Sequence, residues 1–171
     1  MAATPSIVVV MGPAGAGKTT IGTRLARSLG WQYVEADDFH TKDNIERMRQ
    51  GVPLTDADRE PWLAKMREAL RDAIVKGERV VLACSALKEE YRRALVPPNA
   101  SPDQIRFVYL RASAALLRER LAHRVGHFAG PELVDSQLRT LEEPADALWV
   151  DASHSPDEIV ASIVAWLGVQ S

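Results

Sequence analysis

The sequence has little of several features that would mark particular protein classes. Its single cysteine, Cys84, excludes an intramolecular disulfide. Its apolar runs are much shorter than the roughly 20 residues of a membrane helix, and no basic segment opens a signal peptide. A net charge of −2 supplies no basic field for a nucleic acid. We therefore expect a cytoplasmic protein with neither a membrane nor a nucleic-acid partner.

The composition that is present is ordinary for a globular domain. Apolar residues make up 46% and charged residues 26% of the 171 positions. A chain of this length buries a substantial core, and one core is normal for it. We expect one domain over residues 1–171.

The most informative segment is the octapeptide Gly12-Pro13-Ala14-Gly15-Ala16-Gly17-Lys18-Thr19, which fits G-x-x-x-x-G-K-[ST]. It lies between an apolar run at residues 7–11 and a helical pattern at residues 18–29. Its glycines let the backbone turn N–H groups inward around an anion. Lys18 then reaches the β- and γ-phosphates, and Thr19 brings a hydroxyl to Mg²⁺. With Thr20, the segment predicts a site for ATP and Mg²⁺.

Strand and helix patterns alternate along the rest of the chain. Residues 7–11, 31–34, 79–84, 104–110 and 147–151 read as strands, and the third, fourth and fifth of these are apolar enough to be covered on both faces. Helical patterns separate them, and two, at residues 41–50 and from Thr55 onward, form an arm between strands two and three. The alternation predicts an α/β fold: a three-layer sandwich around a five-stranded parallel sheet, as in P-loop NTPases, with a helical substrate-binding arm and a lid.

A phosphate loop serves GTPases, ATPases and small kinases, and the remaining sequence separates these classes. It has neither an Asn-Lys-x-Asp guanine reader nor an Asp-x-x-Gly switch after the loop, and strand three ends in Cys84-Ser85 rather than an aspartate. Carboxylates instead follow strand two, at the edge where open α/β sheets bind ligands. This arrangement favours a kinase.

Phosphoryl transfer to an alcohol needs a carboxylate for the hydroxyl and positive charge for the phosphoryl oxygens. Glu35 and Asp37 are two apart, so we expect them on one side of an extended segment, with Asp37 as the base and Glu35 holding Mg²⁺ through water. Asp38 would point elsewhere. Arg120 and Arg124 are four apart on a predicted helix at residues 113–124. We expect both to bind ATP, with Lys18, Asp37 and Arg124 as the catalytic residues, beside a lid at about residues 125–133.

With these residues in view, the chain resembles the gluconate kinases of the shikimate-kinase-like P-loop group. Besides the phosphate loop, the motifs that carry the resemblance are Ala36-Asp37-Asp38-Phe39-His40, Pro53-Leu54-Thr55-Asp56-Ala57-Asp58-Arg59, Cys84-Ser85-Ala86-Leu87-Lys88 with Tyr91-Arg92, Gly126-His127-Phe128, Ser136-Gln137 and Leu141-Glu142-Glu143-Pro144. The resemblance implies ATP-dependent phosphorylation of D-gluconate at its 6-hydroxyl, in an enzyme that is often a homodimer.

Gluconate carries a carboxylate and several hydroxyls, so its site needs cations and hydrogen-bonding partners. The residues that the resemblance suggests for this role are His40, Arg59, Lys88, Arg92 and His127. The segment at residues 151–156 corresponds to a loop over adenine in related kinases. Two alternatives remain open: a kinase of the same fold for shikimate or another sugar acid, and a nucleotide-binding regulatory module without turnover.

Overall fold

The computed structural model describes residues 5–124 and 131–168. Its sheet has five parallel strands in the order β2-β3-β1-β4-β5. The strands are β1 Ile7–Met11, β2 Gln32–Glu35, β3 Val80–Ala83, β4 Ile105–Arg111 and β5 Leu148–Asp151. All five predicted strands are confirmed, with each end shifted by at most one residue.

Helices cover both faces of this sheet. They are α1 Lys18–Leu29, α2 Lys42–Arg49, α3 Asp56–Lys76, α4 Glu89–Leu95, α5 Ala114–Ala122, α6 Pro131–Thr140 and α7 Pro156–Leu167, with a short 3-10 helix at Ala36–Phe39. One core joins α3 and α4 to the sheet, and the other joins it to α1, α5, α6 and α7. The predicted three-layer α/β sandwich and the arm between β2 and β3 are therefore confirmed.

The central strand β1 shows why the core has two halves. Its five side chains are all fully buried. Ile7, Val9 and Met11 face one helical layer, while Val8 and Val10 face the other, because successive side chains of a strand point to opposite faces. An apolar run without alternation is what a strand covered on both sides requires.

The prediction that residues 147–151 form a strand covered on both faces is wrong. Strand β5 lies at the edge of the sheet, and its residues alternate between partly buried and exposed. Trp149 keeps 47% of its surface exposed. An edge strand has a hydrogen-bonded neighbour on one side only. Here the described helices leave the face that carries Trp149 and Asp151 largely uncovered.

Local sequence signals explain where several helices begin and end. Gly30 ends α1 in the left-handed conformation, and Thr55 with Asp58 forms a reciprocal capping box at the start of α3. Helix α6 was not predicted, and it takes up residues 131–133 of the predicted lid. The remainder of that lid, residues 125–130, lies outside the described residues.

Parallel strands place all their carboxyl ends at one edge of the sheet. The loops that follow β1, β2 and β3 therefore meet there, and residues 12–17, 36–41 and 84–88 occupy them. In the described ranges, 5–124 and 131–168, no helix is long and apolar enough to cross a membrane.

Candidate active site

The loop at residues 12–17 connects β1 to α1 and has the form of an anion cradle. Gly15 and Gly17 have φ values of 89° and 100°, which residues with a Cβ rarely adopt. A Cβ on Gly15 would also lie 3.2 Å from the carbonyl oxygen of Leu117. Gly17 caps α1 without any side-chain hydrogen bond to the first turn. The N–H groups of that turn therefore remain available for a phosphate.

Lys18 extends over this loop, and its ammonium donates a hydrogen bond to the carbonyl oxygen of Pro13 at 3.1 Å. Burial lowers the pKa of Lys18, while the nearby Cys84 and the carboxylates Asp37 and Glu35 oppose that shift. The positive charge of Arg124 lowers the pKa of Lys18 further. The lysine is thus a partly buried donor with acidic residues within electrostatic range, as a phosphate-binding lysine requires.

Thr19 and Glu35 form the oxygen-rich side of the site. The Thr19 hydroxyl donates a hydrogen bond to the Glu35 carboxylate at 3.0 Å, and the Tyr33 hydroxyl donates to the same oxygen of Glu35. Burial raises the pKa of Tyr33, and the hydrogen bond to Glu35 raises it further. A hydroxyl and a carboxylate side by side are suitable ligands for Mg²⁺, which favours oxygen donors.

Asp37 reaches the site in a different manner from that predicted. The chain leaves β2 at Glu35 and turns at once into the 3-10 helix, so Glu35 and Asp37 do not share one side of an extended segment. The Trp62 indole N–H donates to the carbonyl oxygen of Ala36 at 2.7 Å and holds this turn against α3. Asp37 is exposed at the edge of the sheet, within electrostatic range of Lys18.

His40 follows the 3-10 helix and lies flat on the same tryptophan. Its ring and that of Trp62 are 4.2 Å apart and inclined by 12°. Burial and the positive charge of Arg59 lower the pKa of His40 to about 4. Among the described residues, its Nδ1 is buried without a hydrogen-bond partner. The imidazole is therefore neutral near neutral pH, and its nitrogen without a partner is covered by protein atoms.

Two predicted substrate cations, Arg59 and Lys88, are held together by Asp56 and Tyr91, to which the sequence analysis gave no role in the site. The Asp56 carboxylate accepts hydrogen bonds from Lys88 at 3.3 Å and from the Tyr91 hydroxyl. Arg59 donates to that hydroxyl at 3.0 Å and lies 3.8 Å from Asp56. We call these four residues the α3–α4 cluster. It carries two cations and one carboxylate, which leaves a net positive charge for an anion.

Arg92 was predicted beside Lys88 as a substrate cation, but its guanidinium is directed elsewhere. The side chain is 8% exposed and donates to the carbonyl oxygens of Ala86 at 2.7 Å, Leu87 at 3.2 Å and Glu142 at 2.8 Å. It therefore ties the loop after β3 to the segment after α6. Ala86, in that loop, has the positive φ of 45°, which is costly for a residue with a Cβ.

Arg120 and Arg124 both line a cleft of about 270 Å³ beside the phosphate loop. Arg120 donates to the carbonyl oxygens of Gly15, Ala16 and Ala152, so it joins the loop to the turn before α7. Arg124 lies beyond the end of α5 and is exposed, so the predicted shared helix face is wrong. His154 and Pro156 from the predicted adenine segment also line this cleft.

The structure thus brings most of the predicted residues to one edge of the sheet. His127 lies outside the described residues. Sequence reasoning named Asp56, Tyr91 and Gln137 only as parts of the motifs that carry the resemblance and gave them no role in the site. The side-chain amide oxygen of Gln137 accepts a hydrogen bond from the Ala14 N–H at 2.6 Å. The spacing of Tyr91 three residues after Lys88 is a signal that could have been used. No local pattern indicates the partner of Gln137, because Ala14 is 123 positions away.

Comparisons with known proteins agree with this geometry. The family model described as AAA domain matches residues 7–144. The chain is 43% identical to a gluconokinase of Gluconobacter oxydans, over 94% of this chain and 90% of that protein. A probable gluconokinase of Dictyostelium discoideum is also 43% identical, with 94% and 86% covered. The crystal structure of a gluconokinase from Sinorhizobium meliloti superposes with a TM-score of 0.84 at 40% identity and covers 96% of this chain and 93% of its own.

Proposed function

Because the chain belongs to the gluconokinase family, we propose that it transfers the γ-phosphoryl group of ATP to the 6-hydroxyl of D-gluconate. The products are 6-phospho-D-gluconate and ADP. The observation that carries this proposal is that the phosphate loop, Asp37 and Lys88 of the α3–α4 cluster follow three neighbouring strands at one edge of the sheet. Lys18 interacts electrostatically with Asp37, His40 follows Asp37, and Arg59 acts on His40 and joins the cluster.

The donor half of the site is the loop with its flanking cations. The open N–H groups at the start of α1 receive phosphate oxygens, and Lys18 neutralises charge at the β- and γ-phosphates. The adenosine end of ATP lies in the cleft that Arg120, Arg124 and His154 line. Mg²⁺, held by Thr19 and by Glu35 through water, supplies charge neutralisation at the phosphates when it is bound.

The acceptor half begins at Asp37. Its carboxylate orients the 6-hydroxyl and takes the proton as the new O–P bond forms, while the bond between the γ-phosphorus and the bridging oxygen of ADP breaks. Its exposed position at the sheet edge, within electrostatic range of Lys18, leaves room for a substrate hydroxyl. Lys18 and Arg124 neutralise the charge on the phosphoryl group in transit.

The remaining polar groups suit the rest of gluconate. Arg59 and Lys88 are preorganised by Asp56 and Tyr91, and their net positive charge favours the carboxylate of the sugar acid. His40 stacks on Trp62 within electrostatic range of Arg59, and its contribution to binding a hydroxyl of gluconate stays a prediction. The contributions of Arg92 and His127 to gluconate binding stay predictions, and the contacts of Arg92 with three backbone carbonyls favour a supporting role for it.

An acceptor screen tests this function directly. Purified protein, ATP and Mg²⁺ are combined in turn with gluconate, other aldonates, shikimate and nucleoside monophosphates, and ADP release is followed with a coupled assay. We expect gluconate to give the highest kcat/KM, and mass spectrometry to find the phosphate on the 6-position. A preference for shikimate or another sugar acid would favour a different kinase of this fold. ATP binding without acceptor-dependent ADP would favour a regulatory module.

Two further properties belong to this proposal. A single free and buried cysteine fits the reducing cytoplasm in which we propose the enzyme works. The homodimer that the family resemblance implies stays a prediction, and light scattering coupled to gel filtration is the measurement for it.

A further inference from the structure

One contact of the phosphate loop has no role in the function proposed above. The side chain of Gln137, on α6, accepts the hydrogen bond from the Ala14 backbone N–H at 2.6 Å. Gln137 is partly buried, and its helix is fixed by the buried Val134 and by an ion pair between Arg118 and Asp135. The loop is therefore held from outside by a side chain on a rigid element.

The position of Ala14 indicates which phosphate this contact concerns. The Lys18 ammonium lies on the Pro13 carbonyl oxygen, directly before Ala14. Because this lysine reaches the β- and γ-phosphates, the Pro13–Ala14 end of the loop lies beside the terminal phosphoryl group. The Gly17 end instead leads into the first turn of α1, whose N–H groups receive the inner phosphates.

The chemistry of an amide fixes how Gln137 is oriented. The Ala14 N–H is a donor, so the amide oxygen must face it and the amide nitrogen must point away. Within residues 5–124 and 131–168, that nitrogen donates no hydrogen bond.

We propose that Gln137 is a positioning residue that holds the Pro13–Ala14 end of the loop for the terminal phosphoryl group, so that it favours binding of a nucleoside triphosphate over a diphosphate. This rests on the proposed function only in taking ATP as the donor. Without the hydrogen bond, the Ala14 end loses its anchor, while the contacts of the inner phosphates with α1 remain. Triphosphate binding then weakens selectively.

The test compares two glutamines that make the same kind of bond in different places. Gln104 is also partly buried, and its amide oxygen accepts from the Ser101 N–H at 2.8 Å, but it precedes β4 at the opposite edge of the sheet. Dissociation constants for a non-hydrolysable ATP analogue and for ADP, both with Mg²⁺, are measured by calorimetry. We expect Gln137→Met to weaken the analogue roughly tenfold and ADP less than about threefold, since one hydrogen bond is lost. Gln104→Met should leave both unchanged.

A second variant keeps the acceptor and changes the charge. Gln137→Glu still accepts from Ala14, but it places a carboxylate beside the terminal phosphoryl group, so we expect the analogue again to lose more affinity than ADP. Equal losses for the two nucleotides, or no loss in either variant, would overturn the proposal. These measurements need no gluconate. A wild-type protein that failed to phosphorylate gluconate would therefore refute the proposed function and leave the nucleotide comparison readable.

Discussion

The hydroxyl of Thr19 donates a hydrogen bond to the carboxylate of Glu35 at 3.0 Å and thereby joins the first turn of α1 to the end of β2. The two residues are 16 positions apart in the chain, and each is the residue that the sequence analysis assigned to Mg²⁺. Their contact means that a cation bound by the Thr19 hydroxyl has the Glu35 carboxylate within reach of its water ligands.

A Glu35→Gln variant should therefore need more Mg²⁺. We expect the free Mg²⁺ concentration for half-maximal activity to rise on the order of tenfold, because outer ligands contribute about that much to metal affinity. The measurement is the initial rate as a function of free Mg²⁺ at saturating ATP and gluconate. Tyr33→Phe removes a neutral donor to the same carboxylate but keeps its charge, and should stay within about threefold of wild type. Equal behaviour of the two variants would contradict the assignment.

Asp37 and Asp38 offer a matched pair for the catalytic base. Both are exposed and both belong to the 3-10 helix, and Asp37 lies within electrostatic range of Lys18. Asp37→Asn should lower kcat by roughly 10²- to 10⁴-fold with little change in the affinity for ATP, because the hydroxyl loses its proton acceptor. Asp38→Asn should retain most of the turnover. Loss of turnover in Asp38→Asn but not in Asp37→Asn would reverse the two roles.

The elements that the sequence predicted well are those whose signals are local. The five strands, the phosphate loop and the helix that begins after Thr55 follow from short runs of strand-forming residues, a fixed motif and a helical pattern. The predictions that failed depend on position in the whole fold. Nothing in the run at residues 147–151 reveals that its strand lies at the edge of the sheet.

The candidate site shows the same division. The sequence predicted most of the charged and polar residues of the site, but it did not predict which cations remain available to a substrate. Lys88 and Arg92 are four apart and look equivalent, yet one joins the α3–α4 cluster and the other binds three carbonyl groups. That difference is decided by contacts across 32 and 50 positions, which no local pattern encodes.

His40 should make folding stability depend on pH. Its pKa is about 4 in the folded protein against an ordinary 6.5, so between these values the unfolded chain binds a proton that the folded chain does not. The stabilisation is fully present above pH 6.5 and is lost as the pH falls toward 4. We expect about 1–2 kcal/mol over this range, since the ring is partly accessible to solvent.

The variant that isolates this effect is His40→Phe, which retains a ring to stack on Trp62 but cannot titrate. Urea unfolding at pH 4.5, 5.5 and 7 should give a smaller loss of stability for His40→Phe than for wild type. His123→Phe, which alters an exposed residue, should keep the wild-type dependence. Parallel curves for wild type and His40→Phe would remove His40 as the cause.

Substitutions of Arg92 and of its neighbour Arg93 distinguish a supporting role of Arg92 from a contact with substrate. Arg92 is buried against the carbonyl oxygens of Ala86, Leu87 and Glu142, while Arg93 is exposed and pairs with Glu89 at 3.0 Å. A lysine cannot reproduce the planar fork of a guanidinium. Arg92→Lys should thus lower the free energy of unfolding by about 2–4 kcal/mol, through lost hydrogen bonds to buried carbonyls.

The matched change Arg93→Lys should cost less than about 0.5 kcal/mol, because exposed ion pairs contribute little. The measurements are denaturant unfolding and the KM for gluconate, taken on the same preparations. If Arg92 only supports the loop after β3, Arg92→Lys lowers the free energy of unfolding and raises the KM for gluconate by less than about tenfold. The rate of ATP hydrolysis without an acceptor then stays unchanged. An Arg92→Lys protein of wild-type stability with a KM for gluconate raised more than about tenfold would instead return Arg92 to the substrate, as its spacing from Lys88 first predicted.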